Sequence, residues 1–306
     1  MKIYVAGHRG LVGSALVRAI EASNNHTWVG RSRSELDLLD RSAVFQFIES
    51  EKPDWVVIAA AKVGGIQANS MYPVQFLTEN LQIETNLLSA CHSANTERVL
   101  FLGSSCIYPK NCPQPIKEEY LLTGHLEPTN EAYAIAKIAG LKLVDAYRKQ
   151  YGRNWISAMP TNLYGPGDNY DLDNSHVLPA MIRKFHVAKV RGESYVSLWG
   201  SGKPRREFLH SDDVASACLH LLEKYDGDIP LNIGTGIDVS IQELAEYIAK
   251  IVGFEGEVTW DASKPDGTPR KLLDIERITQ TGWESKVDLL EGIQRVYSSL
   301  SREDWY

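Results

Sequence analysis

Short apolar runs alternate with longer amphipathic stretches along the first 160 residues of the chain. The apolar runs predict buried strands at 2–6, 27–30, 55–59, 98–102 and 155–159. The stretches 14–22, 73–94 and 133–151 space their apolar residues as a helix does. This alternation of strand and helix is typical of a doubly wound parallel sheet.

The pattern changes after Pro160. Residues 161–170 are polar and rich in turn-forming types, so we expect the chain to leave the sheet here for a region that covers the substrate. A helix is predicted at 177–189, a further strand at 230–234 and another helix at 241–252. No internal repeat or low-complexity segment interrupts this order.

Three glycines lie between the first predicted strand and the first predicted helix. Gly7 permits a tight turn, Gly10 lets backbone amides approach a pyrophosphate, and Gly13 lets the helix pack closely on its strand. The spacing G-x-x-G-x-x-G is a variant of the dinucleotide fingerprint, and it predicts a nucleotide cofactor at this turn.

Basic residues follow the second predicted strand, where NAD enzymes commonly carry an acidic residue against the ribose 2′-hydroxyl. Here Arg31 and Arg33 follow the strand, and Arg9 within the glycine turn is able to reach the same place. Because guanidinium groups pair well with phosphate, the sequence predicts NADP(H) rather than NAD(H). The alternative is that Arg31 and Arg33 are solvated loop charges.

Together these patterns predict an α/β protein with a doubly wound parallel Rossmann sheet and a smaller α/β substrate-binding domain. We expect the NADP-binding Rossmann domain to comprise residues 1–163 with a returning segment near 205–237. The substrate-binding domain would then be built from residues 164–204 and 238–306.

Composition and charge narrow the class of protein. With 306 residues, 43% of them hydrophobic, the chain is long enough for two domains and a large core. A net charge of −7 argues against a general nucleic acid surface, and no apolar run approaches the roughly 18 residues of a membrane span. We therefore expect a cytoplasmic protein with neither nucleic acid nor membrane as partner. The four cysteines form no C-x-x-C pair, so no metal site or disulfide framework is predicted.

Tyr133 and Lys137 are four residues apart in a helical stretch and so share one face. A neighbouring ammonium favours phenolate, which would lower the pKa of Tyr133. Ser104 follows the predicted strand 98–102 and would lie at the edge where ligands bind in open α/β sheets. A proton donor and a second hydrogen-bond donor are what a ketone oxygen requires as hydride arrives at its carbon. The alternative is an ordinary pair on an amphipathic helix.

These motifs resemble the extended short-chain dehydrogenase/reductase family, whose members mostly act on nucleotide sugars. The strings at 60–66, 103–109, 160–166, 174–177 and 264–271 are similar, more narrowly, to the members that act on GDP-4-keto-6-deoxy-D-mannose. That resemblance covers nearly the whole chain. It implies epimerisation of the GDP-sugar at C3 and C5, then NADPH reduction at C4, with GDP-L-fucose as product. It also implies a homodimer packed through the helices 73–94 and 133–151.

The resemblance also implies roles for individual residues. Cys106 and His176 match the acid/base pair of epimerisation, although which of them removes a proton stays open. Implied cofactor contacts are Gly7, Arg9, Gly10, Leu11, Val12, Gly13, Arg33, Asp37, Leu38, Ala60, Lys137, Pro160, Asn162, Leu163 and His176. Implied substrate contacts are Ser105, Asn162, Lys184, Trp199, Arg206 and Asp266. Taken without the resemblance, Cys106 is better interpreted as a small buried residue and His176 as a helix-start residue, while Lys184 is equally a solvated charge and Trp199 a core aromatic.

Other functions share part of this residue set. A nucleotide-sugar 4-epimerase or a simple 4-ketoreductase would need Tyr133 and Lys137 but not the pair Cys106 and His176. A GDP-L-colitose synthase would need epimerisation only at C5 with the same catalytic set, and the sequence does not separate it. A non-catalytic NADP-binding scaffold would have no need for an intact Ser104, Tyr133 and Lys137.

Overall fold

The computed structural model describes residues 1–172, 175–264, 266–300 and 305. The strands are β1 Lys2–Ala6, β2 Thr27–Val29, β3 Trp55–Ile58, β4 Arg98–Leu102, β5 Ile156–Pro160, β6 Asn162–Tyr164, β7 Tyr195–Trp199, β8 Arg205–His210, β9 Leu231–Ile233, β10 Asp238–Ser240, β11 Glu257–Asp261 and β12 Arg270–Lys271. The helices are α1 Leu11–Ser23, α2 Arg41–Glu51, α3 Ile66–Met71, α4 Pro73–Ser93, α5 Glu131–Tyr151, α6 Val177–Arg191, α7 Ser211–Lys224, α8 Ile241–Val252, α9 Glu276–Gln280 and α10 Leu289–Ser299. Short 3₁₀ turns occur at Ser105–Ile107, Glu118–Tyr120 and Pro128–Asn130.

The main sheet has six parallel strands in the order β2-β1-β3-β4-β5-β9. The chain passes from β1 outward to β2 and then crosses to β3 on the other side of β1. This reversal opens a crevice at the carboxyl ends of β1 and β3, which is where open α/β sheets bind ligands. The predicted doubly wound parallel sheet is confirmed.

Apolar side chains cover both faces of this sheet, as expected of buried parallel strands. On one face Val5 and Val57 pack with Leu16 of α1 and Leu221 of α7. The other face has its own core cluster, which the helices α2, α4 and α5 complete through Ile48, Leu87 and Leu141. The glycine turn therefore leaves a strand that is fixed on both sides, so its geometry is held by the core.

Local signals set the bounds of several helices. The helix predicted at 241–252 is α8, because Ser240 and Glu243 form a reciprocal capping box at its start. Glu243 N donates to Ser240 Oγ at 3.0 Å, and Ser240 N donates to Glu243 Oε2 at 2.7 Å. Gly253 ends the helix with a φ of 76°, in the left-handed region that glycine adopts without strain.

The rest of the chain builds two smaller sheets over the carboxyl edge of the main one. β8 pairs with β10, β12 and β6, while β7 and β11 form a parallel pair. A third core, with Phe185 of α6, Ile248 of α8 and Ile293 of α10, supports them. The chain returns to the main sheet through β9, as predicted, whereas β8 lies in one of the small sheets. The division of the chain into two domains stays a prediction.

The two longest described helices, α4 and α5, have 21 residues each. Across the described ranges, no helix is both long enough and apolar enough to cross a membrane.

Candidate active site

A cavity of about 580 Å³ lies at the carboxyl ends of β1, β3, β4 and β5. It brings together most of the residues predicted from the sequence. The predicted residues that line it are Gly7, Gly10, Leu11, Val12, Gly13, Arg33, Asp37, Leu38, Ala60, Ser104, Ser105, Cys106, Tyr133, Lys137, Pro160, Asn162, Leu163 and His176. Five others lie outside its lining, namely Arg9, Lys184, Trp199, Arg206 and Asp266.

The glycine turn forms one wall of this cavity. Gly7 has a φ of 86°, and a Cβ on it would lie 2.8 Å from the backbone nitrogen of Ala60. A Cβ on Gly13 would overlap the carbonyl oxygen of Gly7 and lie 2.7 Å from His8 Cα. Among the described residues no side chain caps the start of α1 at Gly10, so the amides of Leu11, Val12 and Gly13 are available to an anion in the cavity. A pyrophosphate fits this cradle.

The arginines after β2 differ in their surroundings. Arg31 lines the cavity, but its Nη2 pairs with Glu51 Oε1 at 2.8 Å and its guanidinium lies 5.2 Å from the Phe47 ring. Arg33 is exposed and lines the same cavity, whereas Arg9 is exposed outside it. Arg33 is therefore better placed than Arg31 or Arg9 to meet a phosphate on the adenosine ribose.

The predicted proton relay is assembled, but its electrostatics differ from the expectation. Burial raises the pKa of Tyr133, and the charges of Cys106 and Glu84 raise it further, while a hydrogen bond with Ser104 lowers it. The expected lowering of the Tyr133 pKa by Lys137 is wrong. Lys137 Nζ instead pairs with Glu84 Oε1 at 3.1 Å, and each side chain is only 2% exposed. Tyr133 is therefore held as a neutral phenol.

Cys106 lies in the 3₁₀ turn that follows β4, and its thiol has a cationic partner. Lys271 Nζ lies 3.4 Å from Cys106 Sγ. Burial alone raises the pKa of Cys106, but the charge of Lys271, hydrogen bonds with Ser104 and Lys271, and the charge of Arg206 together hold it below its usual value. The site thus stabilises the thiolate, which is the form that accepts a proton, relative to an ordinary cysteine.

Sequence reasoning did not single out Lys271. Its position depends on β12, which pairs in parallel with β8 and places Lys271 opposite Arg206. A two-residue strand gives no periodic signal. The sign in the sequence was that Lys271 ends the string 264–271. Pro265 of that string lies outside the described residues.

His176 is exposed at the mouth of the cavity, where it precedes the first residue of α6. Partial removal of the ring from water lowers the pKa of His176, and the charge of Lys271 lowers it further. A neutral imidazole accepts a proton at one nitrogen and donates one from the other. Cys106 and His176 therefore reach one cavity from separate segments. Asn174 in the adjoining string lies outside the described residues.

Of the predicted substrate residues, Lys184 and Trp199 lie together away from this cavity. Trp199 at the end of β7 is 51% exposed, and Lys184 Nζ lies 5.9 Å from its ring while donating to Ser197 O at 3.3 Å. Lys264 Nζ lies 5.2 Å from the same ring. An exposed indole between two ammonium groups is suited to an aromatic ligand that carries negative charge.

Asp266 and Arg206 are next to each other on the side of Cys106. Asp266 accepts hydrogen bonds from Ser201 N at 2.7 Å and Ser201 Oγ at 2.8 Å. Arg206 donates a hydrogen bond to Arg205 O at 2.8 Å. Burial lowers the pKa of Arg206, and the negative charges of Cys106 and Asp266 partly oppose this by raising it. Asn162, which lines the cavity, donates from Nδ2 to Glu207 O at 2.7 Å.

Comparisons with known proteins agree with this geometry. Residues 3–234 match the NAD dependent epimerase/dehydratase family. The chain is 54% identical over 305 residues to GDP-L-fucose synthase 1 of Arabidopsis thaliana, covering 100% of this chain and 93% of that protein. It is 52% identical over 305 residues to GDP-L-fucose synthase of Escherichia coli (strain K12), covering 97% and 95%.

More distant relatives share the same fold. GDP-L-colitose synthase of Yersinia pseudotuberculosis is 41% identical over 299 residues, covering 97% of this chain and 96% of that protein. The crystal structure of a GDP-L-fucose synthetase from Naegleria fowleri bound to NADP has a TM-score of 0.89 at 28% identity, covering 97% of this chain and 92% of that one.

Proposed function

Since the chain belongs to the NAD dependent epimerase/dehydratase family, we propose that it makes GDP-L-fucose from GDP-4-keto-6-deoxy-D-mannose. The enzyme epimerises the sugar at C3 and C5 and then reduces the ketone at C4 with NADPH. One observation carries this assignment beyond a simple reductase. Two further titratable side chains, Cys106 and His176, line the cavity beside Ser104, Tyr133 and Lys137, which supports a second acid/base pair. Identity above 50% to GDP-L-fucose synthases over full length supports it.

The cavity supplies groups for each part of NADP(H). The amides of Leu11, Val12 and Gly13 at the start of α1 would hold the pyrophosphate, because a helix N-terminus favours an anion. Arg33 pairs with the 2′-phosphate of the ribose. Pro160, Leu163 and Tyr133, which line the same cavity, would hold the nicotinamide ring. When bound, NADPH supplies the hydride.

Epimerisation exchanges a proton at a carbon beside the ketone. A base removes the proton from C3 or C5, the electron pair moves into an enolate, and an acid returns a proton on the opposite face. Ser104 and Tyr133 hydrogen-bond the enolate oxygen. Cys106 and His176 are the pair that moves these protons: the member that is deprotonated acts as the base, the member that is protonated acts as the acid, and no net oxidation occurs.

Reduction uses the same oxygen contacts. As the C4 carbon accepts hydride, Tyr133 donates its proton to the carbonyl oxygen, and the C=O bond becomes a C–OH. Ser104 stabilises the developing charge with a second hydrogen bond. The neutral phenol favoured by burial is the form of Tyr133 that this step needs.

The GDP portion is held by the predicted substrate residues. Lys184 and Arg206 neutralise the diphosphate, Trp199 packs against the ligand, and Asp266 accepts hydrogen bonds from it. Ser105 and Asn162 complete the contacts from the cavity side. The clustering of Lys184 with Trp199 and of Arg206 with Asp266 supports this arrangement. In this arrangement the substrate-binding part meets the NADP-binding part where Ser105 and Asn162 contact the ligand.

The test is the product that the purified protein makes from GDP-4-keto-6-deoxy-D-mannose and NADPH, identified by proton NMR. We expect GDP-L-fucose, with one NADPH consumed for each sugar. An unepimerised product would contradict the roles of Cys106 and His176. Turnover only of the corresponding 3-deoxy sugar would identify a colitose-type enzyme, which the lower identity to that relative disfavours.

We also infer that the protein works as a homodimer packed through α4 and α5. Both helices expose large apolar side chains, with Val74 67% and Ile135 43% accessible in the single chain. Light scattering should give twice the mass of one chain.

We also propose that the protein works in the cytoplasm. The cytoplasm is a reducing compartment, which suits a mechanism that needs a free thiol at Cys106. Imaging of a fluorescent fusion tests this location.

A further inference from the structure

The catalytic lysine is one half of a buried ion pair. Lys137 Nζ on α5 lies 3.1 Å from Glu84 Oε1 on α4, and 4.7 Å from the centre of the Phe101 ring. Each side chain of the pair is 2% exposed. A charge removed from water to this extent is stable only with a close partner, so each group depends on the other.

The space for this carboxylate is built into the helix opposite. Gly140 is one turn beyond Lys137 on α5, and a Cβ there would lie 2.6 Å from Glu84 Oε2 and would overlap the Phe101 ring. Glycine is an unfavourable residue in the middle of a helix, by about 1 kcal/mol relative to alanine. Here it lets α4 bring a carboxylate beneath the catalytic helix.

Since Glu84 and Lys137 neutralise one another beside Tyr133, we propose that Glu84 is a positioning residue of the reductase centre. It holds the Lys137 ammonium at the cavity wall and balances its charge, so that Tyr133 stays a neutral phenol able to donate a proton. This inference rests on the proposed function, because proton donation matters only for the reduction at C4.

The surroundings of Tyr133 support this role. The groups that act on it are Ser104 and Cys106 from the segment after β4 and Glu84 from α4, and Glu84 in turn pairs with Lys137 of α5. Beyond Cys106 lies Lys271 from β12. Burial is the largest cause of the raised pKa of Tyr133, and the charges of Cys106 and Glu84 add to it. Removing only the Glu84 charge leaves the Lys137 ammonium unbalanced, which stabilises phenolate.

The experiment compares Glu84→Gln with the wild-type protein in single-turnover reduction of the keto sugar as a function of pH. We expect the alkaline decline of the reduction rate to move to lower pH by about one unit, since an unbalanced charge at this range has an effect of that order. Asp145→Asn is the matched control, because it makes the same change on α5 in a more exposed pair, Lys142–Asp145 at 3.5 Å. Its profile should equal the wild type. An unmoved decline in Glu84→Gln would overturn the proposal.

A second measurement does not require turnover. Tyrosinate absorbance, taken as a difference from the same protein carrying Tyr133→Phe, follows the ionisation of Tyr133 alone. It should shift to lower pH in Glu84→Gln and stay near the wild type in Glu84→Asp, which keeps the charge. Absence of NADPH oxidation by the wild type would refute the proposed function, while this titration would still decide the role of Glu84.

The single variant leaves a buried ammonium without a partner and risks unfolding. The double variant Glu84→Gln with Lys137→Met leaves no unpaired charge. If the two charges balance one another, Tyr133 titrates in it close to its wild-type position. A large shift in the double variant would contradict the balance.

Discussion

The contact between Cys106 and Lys271 makes the reactivity of the Cys106 thiol depend on a cation that lies 165 positions away along the chain. Because Lys271 lowers the pKa of Cys106 against the effect of burial, thiolate persists to lower pH than in an ordinary cysteine. In Lys271→Met the pKa rises, so less thiolate is present at pH 7. We expect alkylation of Cys106 by iodoacetamide at pH 7 to slow severalfold, because the rate follows the fraction of thiolate.

The alkylation is measured as a rate against pH, with Cys106→Ser as the background for the other thiols. The rate should fall as pH decreases through the Cys106 pKa, and this fall should move to higher pH in Lys271→Met. Lys264→Met removes a cation that lies over Trp199 and should leave the profile unchanged. Equal profiles for wild type and Lys271→Met would remove Lys271 from the site.

Separate residues for epimerisation and reduction predict that the two reactions can be uncoupled. Cys106→Ser should stop epimerisation and leave slow reduction at C4, because Ser104, Tyr133 and Lys137 stay in place. His176→Gln should behave similarly. The product is identified by NMR, and deuterium uptake at C3 and C5 from heavy water reports each exchange. Fully epimerised product at the normal rate would show that the altered residue transfers no proton.

At the scale of residues, sequence reasoning succeeded where the chemistry is local or carried by a motif. Tyr133 and Lys137 share a helix face, so their proximity followed from spacing alone. Glu84 and Lys271 were missed because their contacts join segments 53 and 165 positions away along the chain. The pKa of Tyr133 was predicted in the wrong direction because its largest cause is burial, followed by the charges of Cys106 and Glu84, none of which the spacing of Tyr133 and Lys137 shows.

Among the elements, the turn between β1 and α1 tolerates no side chain at its third glycine. In Gly13→Ala the added Cβ meets the Gly7 carbonyl oxygen and His8 Cα, so either the turn or α1 must move. We expect NADPH binding to weaken at least tenfold in fluorescence titration. Gly152→Ala, at the end of α5, meets nothing within 4 Å and changes only a left-handed position with a φ of 65°. It should lose stability of about 1 kcal/mol but keep its affinity. Unchanged affinity in Gly13→Ala would place the pyrophosphate elsewhere.

The loop after β2 predicts the preference between cofactors. Arg33 is exposed at the cavity, while Arg31 is engaged by Glu51. Arg33→Ala should therefore weaken NADPH by about ten- to a hundredfold, the effect of a hydrogen bond to a charged group. NADH, which lacks the 2′-phosphate, should bind with little change. Both dissociation constants are measured by calorimetry, with Arg18→Ala as a control on α1. An equal loss for both cofactors would contradict phosphate recognition by Arg33.

Prediction of elements was best where caps and periodicity agreed. The strand β1 and the helix α8 were predicted with the bounds that the structure gives them. The short strands β6, β10 and β12 had no such signal, because two or three residues carry no period and their partner β8 is distant along the chain.

For the whole molecule, the doubly wound parallel sheet was predicted from the alternation of strands and helices, whereas the pairing within the smaller sheets was not. The doubly wound sheet was predictable because β1 to β5 and the helices α1, α4 and α5 each gave a local signal, although α2 and α7, which also cover its faces, were not predicted. The smaller sheets gather segments that are far apart in the chain, and they carry Arg206 and Lys271 to Cys106. Such an arrangement depends on long-range pairing that one sequence does not display.

One buried carboxylate connects these distant segments. Glu207 on β8 is 0% exposed, and its Oε1 accepts hydrogen bonds from Thr235 N at 2.6 Å and Gly236 N at 2.7 Å. Its Oε2 accepts one from Leu273 N at 3.0 Å, two residues beyond Lys271. The same side chain therefore anchors the loop after β9, which returns to the main sheet, and the segment that positions Lys271.

Glu207→Gln should weaken the hydrogen bonds that join β8 to the loop after β9 and to the segment that follows β12. An amide group in place of one carboxylate oxygen faces a backbone N–H with another donor, and a buried donor left without a partner costs about 1–3 kcal/mol. We expect the midpoint of thermal unfolding to fall by several degrees, and alkylation of Cys106 to slow because Lys271 is less firmly held. Glu255→Gln, at an exposed position, should change stability by less than about 0.5 kcal/mol. If Glu207→Gln melts with the wild type and Cys106 keeps its reactivity, the small sheets hold Lys271 in place without this carboxylate.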